Sequence, residues 1–344
     1  ACYLSLGLYL NILVPAVPIW AWIIIGVIFV ALCNYVGVTM AGFMNTINVV
    51  APILGLLVTI IAIIVFVAKG NGAGTLLFPE ALYNPETFQI NTLMTGAAIM
   101  AIVFVGFDSV TTYAEETIEP EKNMPRAVVI ICVGAAIEFF ICAYIMNCGW
   151  PWADAASVIQ NPDTAITEYN EHIGIAWMNF IFIIINTLAS IGCCIAGQGA
   201  TARILLGMGR DGFIPRKFFG YVHPKFKTPS RNILLSAVVG LTAIFFQDSL
   251  TNAMSLVSFG AIMGFILTNM SVIARFWVRD KERSGAAVIK YLIIPAIAAA
   301  ICIYLWFSLT ATAKIVGFSW LALGVIFLAI KTKGFKELPP EMNL

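Results

Sequence analysis

Two carboxylic acids lie inside long apolar segments of this 344-residue chain, where a polar group needs a physical reason. Asp108 lies well inside the apolar segment 90–113, and Glu138 lies midway along the segment 126–148. A carboxylic acid at membrane depth must be protonated, be paired or face water. Glu138 could therefore bind a cation or carry protons, although a neutral acid hydrogen-bonded to a neighbouring helix would satisfy it equally.

The residues around Asp108 point to a helix that is interrupted. Gly96 and Gly106 weaken the helix. Hydrogen-bonding side chains crowd directly after the second glycine: Asp108, Ser109, Thr111 and Thr112. An interruption here would turn backbone carbonyls and amides toward a cavity at membrane depth. The alternative is that Gly106 only permits close helix packing and that Asp108 lies near the membrane interface, and composition does not choose between the two.

Membrane-spanning helices must position these acids. Because 60% of the residues are hydrophobic, 11% are charged and the mean hydropathy is +0.94, too little polar surface remains to coat a soluble globule. Windows of about 19 residues predict nine complete spans. These lie at 18–38, 45–68, 90–113, 126–148, 173–203, 231–247, 250–275, 288–310 and 314–331, with residues 1–15 as the end of another. The apolar runs are too continuous for barrel strands, so we predict an all-α integral membrane protein.

The basic residues predict the orientation of the spans. If the spans alternate, 17 of the 19 Lys and Arg residues fall on one side, and only Lys69 and Lys314 fall on the other. The positive-inside rule makes the basic side cytoplasmic, together with the C-terminus. The basic run from Arg210 to Arg231 is then a cytoplasmic loop, with recognition of lipid headgroups or of a partner as the alternative. The acidic loop 149–172 is expected outside.

Metal, cofactor and enzyme chemistry are not indicated. The eight cysteines lie almost all inside spans, with no CxxC pair and no nearby histidine, so helix packing explains them. The sequence contains no Ser/His/Asp arrangement, P-loop or metal-ligand spacing. A channel should repeat a filter-like loop, and an intramembrane enzyme should pair catalytic groups on facing spans; neither pattern is present. We predict no cofactor, no catalytic residue and no nucleic-acid partner.

Two sequence blocks carry a resemblance to a known family. The first runs from Gly106 through Asp108 to Glu116 and continues with Pro120 and the segment 123–127 (Asn-Met-Pro-Arg-Ala). The second runs from Ala202 to Pro215 and continues at 221–225 (Tyr-Val-His-Pro-Lys) and 228–229 (Thr-Pro). Together they closely resemble the amino acid-polyamine-organocation (APC) transporter superfamily. The segment 186–190 (Asn-Thr-Leu-Ala-Ser), taken with the second block, is most similar to the superfamily's bacterial putrescine importers.

This resemblance implies the LeuT-like five-plus-five inverted-repeat transporter fold, in a single transmembrane domain that covers 1–344. On that scheme residues 1–15 are the end of helix 3, the spans in 18–331 are helices 4 to 12, and residues 332–344 form a cytoplasmic tail. Helices 1, 2 and most of helix 3 would be lacking, and we expect an N-terminal part to precede Ala1. Helix 1 would supply the other half of the substrate site.

The resemblance also implies the binding residues and the function. The unwound part of helix 6 would run from Ile102 to Ser109, with Phe104 and Phe107 near the substrate. The substrate-binding residues would be Ile102, Phe104, Gly106, Phe107, Asp108 and Ser109. An acid at position 108 suits a cationic amine, which predicts import of putrescine or a related amine by proton symport across the cell membrane. An amino acid permease of the same fold is the alternative.

One departure from the family concerns coupling. Some proton-driven relatives carry a lysine in helix 5 in place of a sodium ion, whereas the corresponding stretch 45–55 contains Pro52 and no lysine. That coupling device is therefore missing from the sequence. Glu138 is the candidate that remains for coupling to protons.

Overall fold

An α-helix satisfies its backbone hydrogen bonds within one segment, and the apolar runs of this chain fold accordingly. The structure, a computed structural model, describes residues 1–37, 41–107 and 117–334, without the side chains at 41–49 and 162. The helices are α1 (Cys2–Leu13), α2 (Ile19–Val36), α3 (Ala41–Ala68), α4 (Ile90–Met100), α5 (Pro120–Gly149), α6 (Trp152–Val158), α7 (Ala165–His172), α8 (Met178–Arg210), α9 (Arg216–Phe219), α10 (Ser230–Gly240), α11 (Leu250–Val272), α12 (Gly285–Val288), α13 (Ile294–Ser308) and α14 (Ala311–Lys331).

Within the described residues, seven helical segments are long and apolar enough to cross a membrane. They are Ile19–Val36, Val50–Ala68, Pro120–Gly149, Met178–Arg210, Leu250–Arg279, Gly285–Ser308 and Ala311–Lys331. Three shorter apolar helices stand at Cys2–Leu13, Ile90–Phe104 and Ser230–Phe246. Four of these segments include a stretch of different helical geometry, either 3₁₀ (Ala101–Phe104 and Leu241–Phe246) or π (Ile273–Arg279 and Ile289–Ile293). The chain is thus an all-helical, multi-pass membrane protein in its described part.

The two helix starts that differ most from the hydropathy prediction each have a local reason. The span predicted from 173 begins as α8 only at Met178, because Gly174 has a φ of +79° and separates α8 from α7. The span predicted from 126 begins as α5 at Pro120. Proline is well suited to the first helical position, where its missing N–H would have no helical partner.

The described chain divides into two compact units, and the first consists of Ala1–Leu77, Ile145–Leu250 and the described part of Ala322–Leu344. In this unit α1 packs on α2 and α8, and α2 packs on α8 and α10. The Asn34 Nδ2 group of α2 donates to Gln198 Oε1 of α8 at 2.8 Å, and Gln198 Nε2 donates to the Ile233 carbonyl of α10 at 3.4 Å. Lipid gives little hydrophobic drive for helices to associate, so such hydrogen bonds help to join them.

The loop before α8 also belongs to this unit and folds back on its helix ends. The Tyr169 hydroxyl of α7 donates to the Met146 carbonyl at 2.8 Å. Burial raises the pKa of Tyr169, which keeps the hydroxyl protonated as the donor. Asp163 Oδ2 accepts from the backbone N–H of Leu250 at 2.8 Å, where α11 begins. A carboxylate is favourable there because the first amides of a helix have no partner inside the helix.

The second unit consists of Phe78–Tyr144 and Thr251–Leu321 in their described parts. Its core is a cluster of buried side chains around Phe259 of α11. The Phe259 ring lies 4.8 Å from the Trp306 ring of α13 and 5.2 Å from the Phe318 ring of α14, measured between centroids. Trp306 Nε1 donates to the Phe259 carbonyl at 3.2 Å, and Ser258 Oγ donates to the Ile99 carbonyl of α4 at 3.1 Å. These contacts fix the end of α4, where the helix is interrupted.

Replacing Gln198 by alanine should loosen the first unit. The change removes the hydrogen bonds to Asn34 and Ile233, so we expect a cost of about 1 kcal/mol in stability. Thermal unfolding of the purified protein in detergent measures it. Thr201→Ala on the same helix is the control, because within the described residues this exposed hydroxyl donates only to the Gly197 carbonyl of its own helix. A midpoint for Gln198→Ala no lower than that of Thr201→Ala would contradict the assignment.

Candidate functional site

The apolar helix α4 stops in the middle of a segment that hydropathy predicts to be one span. Its α-helical part ends at Met100, and a 3₁₀ segment follows from Ala101 to Phe104. Val105 then adopts an extended conformation with φ −68° and ψ 127°, and its N–H donates to the Ile102 carbonyl at 3.0 Å. The interruption therefore falls within the segment where the sequence predicts it.

Gly106 makes the interruption possible through its backbone conformation. Its φ is +112°, a region that residues with a Cβ rarely adopt. Within the described residues, no heavy atom lies within 4 Å of the point where a Cβ would stand. Here the backbone angle, rather than close helix packing, calls for glycine. These distances therefore do not support the alternative interpretation, in which Gly106 only permits close helix packing.

A cavity of about 310 Å³ lies beside the interruption. One wall is the run from Val103 to Phe107, and the other is formed by Ile131, Cys132 and Ala135 of α5. Its volume lies at the lower end of the range for small-molecule sites, about 300 to 1,000 Å³. Backbone groups of a non-helical segment thus border the space, while the side chains around it are mostly apolar. The cavity suits a small molecule that has an apolar body and a few polar groups.

Two phenylalanines of the cavity are held by other rings of the second unit. Phe104 meets Phe139 of α5 edge to face, with centroids 6.0 Å apart, and Phe107 lies 5.5 Å from Phe265 of α11. Aromatic pairs in such arrangements are mutually attractive, so the two rings have defined positions. The faces of such rings also attract organic cations.

The predicted binding residues divide into three groups. Phe104, Gly106 and Phe107 line the cavity, and Ile102 lies half-buried in the preceding 3₁₀ turn without lining it. Asp108 and Ser109 lie outside the described residues. The wall from α5 was missed by sequence reasoning. Its signal was the spacing of Ile131 and Ala135, which are four residues apart and share one face of a helix.

Glu138 stands on the same side of α5 as that wall. It follows Ala135 by three residues, so the two share a helix face, and its neighbour Phe139 contacts Phe104. The Glu138 side chain is exposed, and within the described part of the chain its carboxylate has no hydrogen-bond or ion-pair partner. The neighbouring-helix bond that would explain a neutral buried acid is therefore not seen in that part.

These features define a class of protein, an integral membrane protein of many helices with a small-molecule cavity beside an interrupted span. Comparison with known proteins narrows the class. The sequence pattern of the family described as "Amino acid permease" matches residues 2–333, and the chain belongs to this APC-type transporter family.

Relatives within the family differ in the substrates that their names give. The chain is 32% identical over 336 residues to the low-affinity putrescine importer PlaP of Escherichia coli (strain K12), which covers 97% of this chain and 73% of that protein. It is 25% identical over 315 residues to the branched-chain amino acid permease BcaP of Bacillus subtilis (strain 168), and this match covers 88% of this chain and 62% of that protein. It is also 25% identical over 239 residues to the methylthioribose transporter of the same organism, and this match covers 70% of this chain and 50% of that protein.

Replacing Gly106 by alanine should destabilise the interruption. A Cβ at a φ of +112° costs about 1–3 kcal/mol, and we expect a lower unfolding midpoint and less transport. Gly96→Ala is the matched control, since Gly96 lies inside α4 with open space around it and alanine favours helix by up to about 1 kcal/mol. Thermal unfolding should thus give a midpoint below that of the parent for Gly106→Ala and above it for Gly96→Ala. A Gly106→Ala protein as stable as the Gly96→Ala protein would contradict the backbone argument.

Proposed function

We propose that this protein is a secondary active transporter that imports putrescine or a related small amine across the cell membrane. The observation that carries the proposal is the interruption at Val105 and Gly106, beside a cavity that Phe104 and Phe107 help to line. The acid Asp108 follows Phe107 directly in the sequence. Family membership and the similarity to a putrescine importer support the substrate class.

Recognition of a diamine needs opposite charge and a place for its carbon chain. Asp108 is proposed to pair with one ammonium group, because a cation removed from water needs a partner of opposite charge. Phe104 and Phe107 would pack against the methylene chain and offer their ring faces to the cation. Ser109 and the backbone near Ile102 and Gly106 would supply further polar contacts. A cavity of about 310 Å³ suits such a short, unbranched molecule.

Glu138 is proposed to couple uptake to protons. It lies about 4.5 Å further along the axis of α5 than the cavity residue Ala135, since each residue adds about 1.5 Å. The Glu138 side chain is exposed and has no hydrogen-bond or ion-pair partner within the described residues, which supports its proposed role as the group that takes up and releases the proton. Proton binding and substrate binding could then favour the same conformation, as symport by alternating access requires.

The architecture proposed for this mechanism is the LeuT-like five-plus-five inverted repeat. In that arrangement the described helices correspond to the end of helix 3 and to helices 4–12, with α4 and its interruption as helix 6. The C-terminal tail would be cytoplasmic. Broken helices that supply backbone groups at the bilayer midplane are the recurring device of such transporters.

An amino acid permease of the same fold is the second candidate. The observation in its favour is the 25% identity to the branched-chain amino acid permease over 88% of this chain. Such a substrate carries a carboxylate as well as an ammonium group. The carboxylate would need N–H donors at a helix terminus rather than an acidic side chain.

Uptake of radiolabelled putrescine into cells that express the protein tests the substrate. We expect unlabelled putrescine to compete and a panel of amino acids to leave uptake unchanged. Asp108→Asn should weaken uptake about tenfold or more through KM, because it removes the charge that pairs with the ammonium group. Asp154→Asn in the exposed helix α6 is the control and should transport normally. Competition by amino acids alone would end the amine proposal.

Coupling is tested by Glu138→Gln, which removes the titratable proton and keeps the shape of the side chain. We expect the variant to bind putrescine but to lose accumulation driven by an imposed proton gradient, by about tenfold or more. Glu121→Gln at the exposed start of the same helix should accumulate substrate normally. Reconstituted vesicles with and without an acidic exterior measure the effect. If Glu138→Gln vesicles still respond fully to the gradient, the carrier of the proton is another group.

A further inference from the structure

The segment from Arg203 to Arg231 carries a dense and uncompensated positive charge. It contains seven basic residues and one acidic residue, Asp211, which is half-buried. The basic residues are Arg203, Arg210, Arg216, Lys217, Lys225, Lys227 and Arg231, and all seven side chains are exposed. None of the seven forms an ion pair within the described ranges, 1–37, 41–107 and 117–334.

This segment has a defined fold. Asn232 Nδ2 donates to the Ala202 carbonyl at 3.2 Å and to the Phe219 carbonyl at 2.9 Å, which ties the end of α8, helix α9 and the start of α10 together. Thr228 Oγ1 donates to the Tyr35 carbonyl of α2 at 2.8 Å. At Gly209 a Cβ would stand 2.7 Å from the Phe219 Cβ, so α9 lies directly against α8. The charged side chains therefore project from a preformed surface.

The Arg231 side chain is oriented by contacts with uncharged groups. The Arg231 guanidinium lies over the Tyr221 ring at 4.1 Å from its centroid, and its Nη1 donates to the Lys217 carbonyl at 2.6 Å. These contacts orient Arg231 without neutralising it, because neither partner is negatively charged. Arg216 and Lys217 stand beside Phe218, whose side chain is 42% exposed. An exposed aromatic ring between cations is typical of a surface at the membrane interface.

A second basic segment of the chain differs from the first because acidic residues alternate with its basic residues. Between Arg275 and Arg283 the basic residues alternate with Asp280 and Glu282, and Arg275 Nε forms an ion pair with Asp280 Oδ2 at 2.9 Å. The positive-inside rule predicts both segments equally, and it does not explain why the first has one acidic residue among seven basic ones while the second alternates the two signs. The charge of the first segment calls for a negative partner from outside the described chain.

We propose that the surface formed by residues 203–231 binds the headgroups of anionic phospholipids. Helix α8 is long and apolar enough to cross a membrane and carries this surface at its C-terminal end, so the lipid headgroups are the anions nearest to it. Arginine forks and lysine ammonium groups are the side chains that bind phosphate oxygens best. Each basic residue near an anionic surface strengthens binding, and the effect fades within a Debye length, about 8 Å at physiological salt. The binding is independent of the transported substrate.

Retention of phosphatidylglycerol against phosphatidylcholine tests the proposal. The protein is purified from an equal mixture of the two lipids, and the bound molecules are counted by native mass spectrometry. The variant R216Q/K217Q/K225Q/K227Q should retain phosphatidylglycerol at least about threefold less than the parent. The matched control R279Q/K281Q/R283Q/K290Q removes the same number of exposed charges from the second basic segment and the nearby Lys290, and it should retain nearly the parental amount.

Equal losses in the two variants would show a general effect of charge and overturn the assignment to this surface. Unchanged retention in the first variant would overturn it as well. Should the fourfold variant fail to fold, the pair K225Q/K227Q lies in an exposed turn where neither lysine forms a side-chain hydrogen bond or ion pair in the described chain. A smaller loss in the folded pair supports the proposal, and no loss contradicts it.

Discussion

Backbone amides and carbonyls cannot be left without partners in lipid, and the rest of this structure depends on that constraint. Apolar runs therefore fold as continuous helices, and a helix can be interrupted only where the freed groups meet a protein surface or a cavity. The chain leaves helical geometry at Val105 and Gly106, inside an apolar segment, and a cavity lies at that point. A positive φ at one glycine thus links a local backbone feature to the cavity beside it.

Side chains reinforce this arrangement differently in the two units. In the first, amide side chains such as Asn34 and Gln198 join helices that would otherwise gain little from contact in lipid. In the second, aromatic rings around Phe259 pack α11, α13 and α14 together, and further rings hold Phe104 and Phe107 at the cavity. Rigid surroundings are needed at a site that exposes backbone groups, because binding free energy would otherwise be lost in ordering it.

Much of the fold follows from sequence, because hydropathy measures the cost of placing each residue in lipid. The long apolar runs were predicted on that basis, whereas the weak point at Gly106 was predicted from the glycines and from the hydrogen-bonding residues that follow. The family was identified from two sequence blocks. The start of α5 at Pro120 was missed, since helix propensity outside the membrane is invisible to hydropathy. The cavity wall of Ile131, Cys132 and Ala135 was missed too, because tertiary packing selects which face of an apolar helix meets α4. Asp108 and Ser109 stay predictions.

The most direct test of the central claim, that the interruption opens a substrate cavity, uses the native Cys132. This half-buried thiol lines the cavity, whereas Cys302 of α13 is equally half-buried and packs against the Phe259 cluster. The labelling rate of each cysteine by a small, water-soluble thiol reagent can be followed by peptide mass spectrometry, with and without putrescine. The account predicts that Cys132 is labelled, that putrescine slows its labelling, and that Cys302 does not respond. Labelling of Cys132 that is unaffected by putrescine and by amino acids would contradict it.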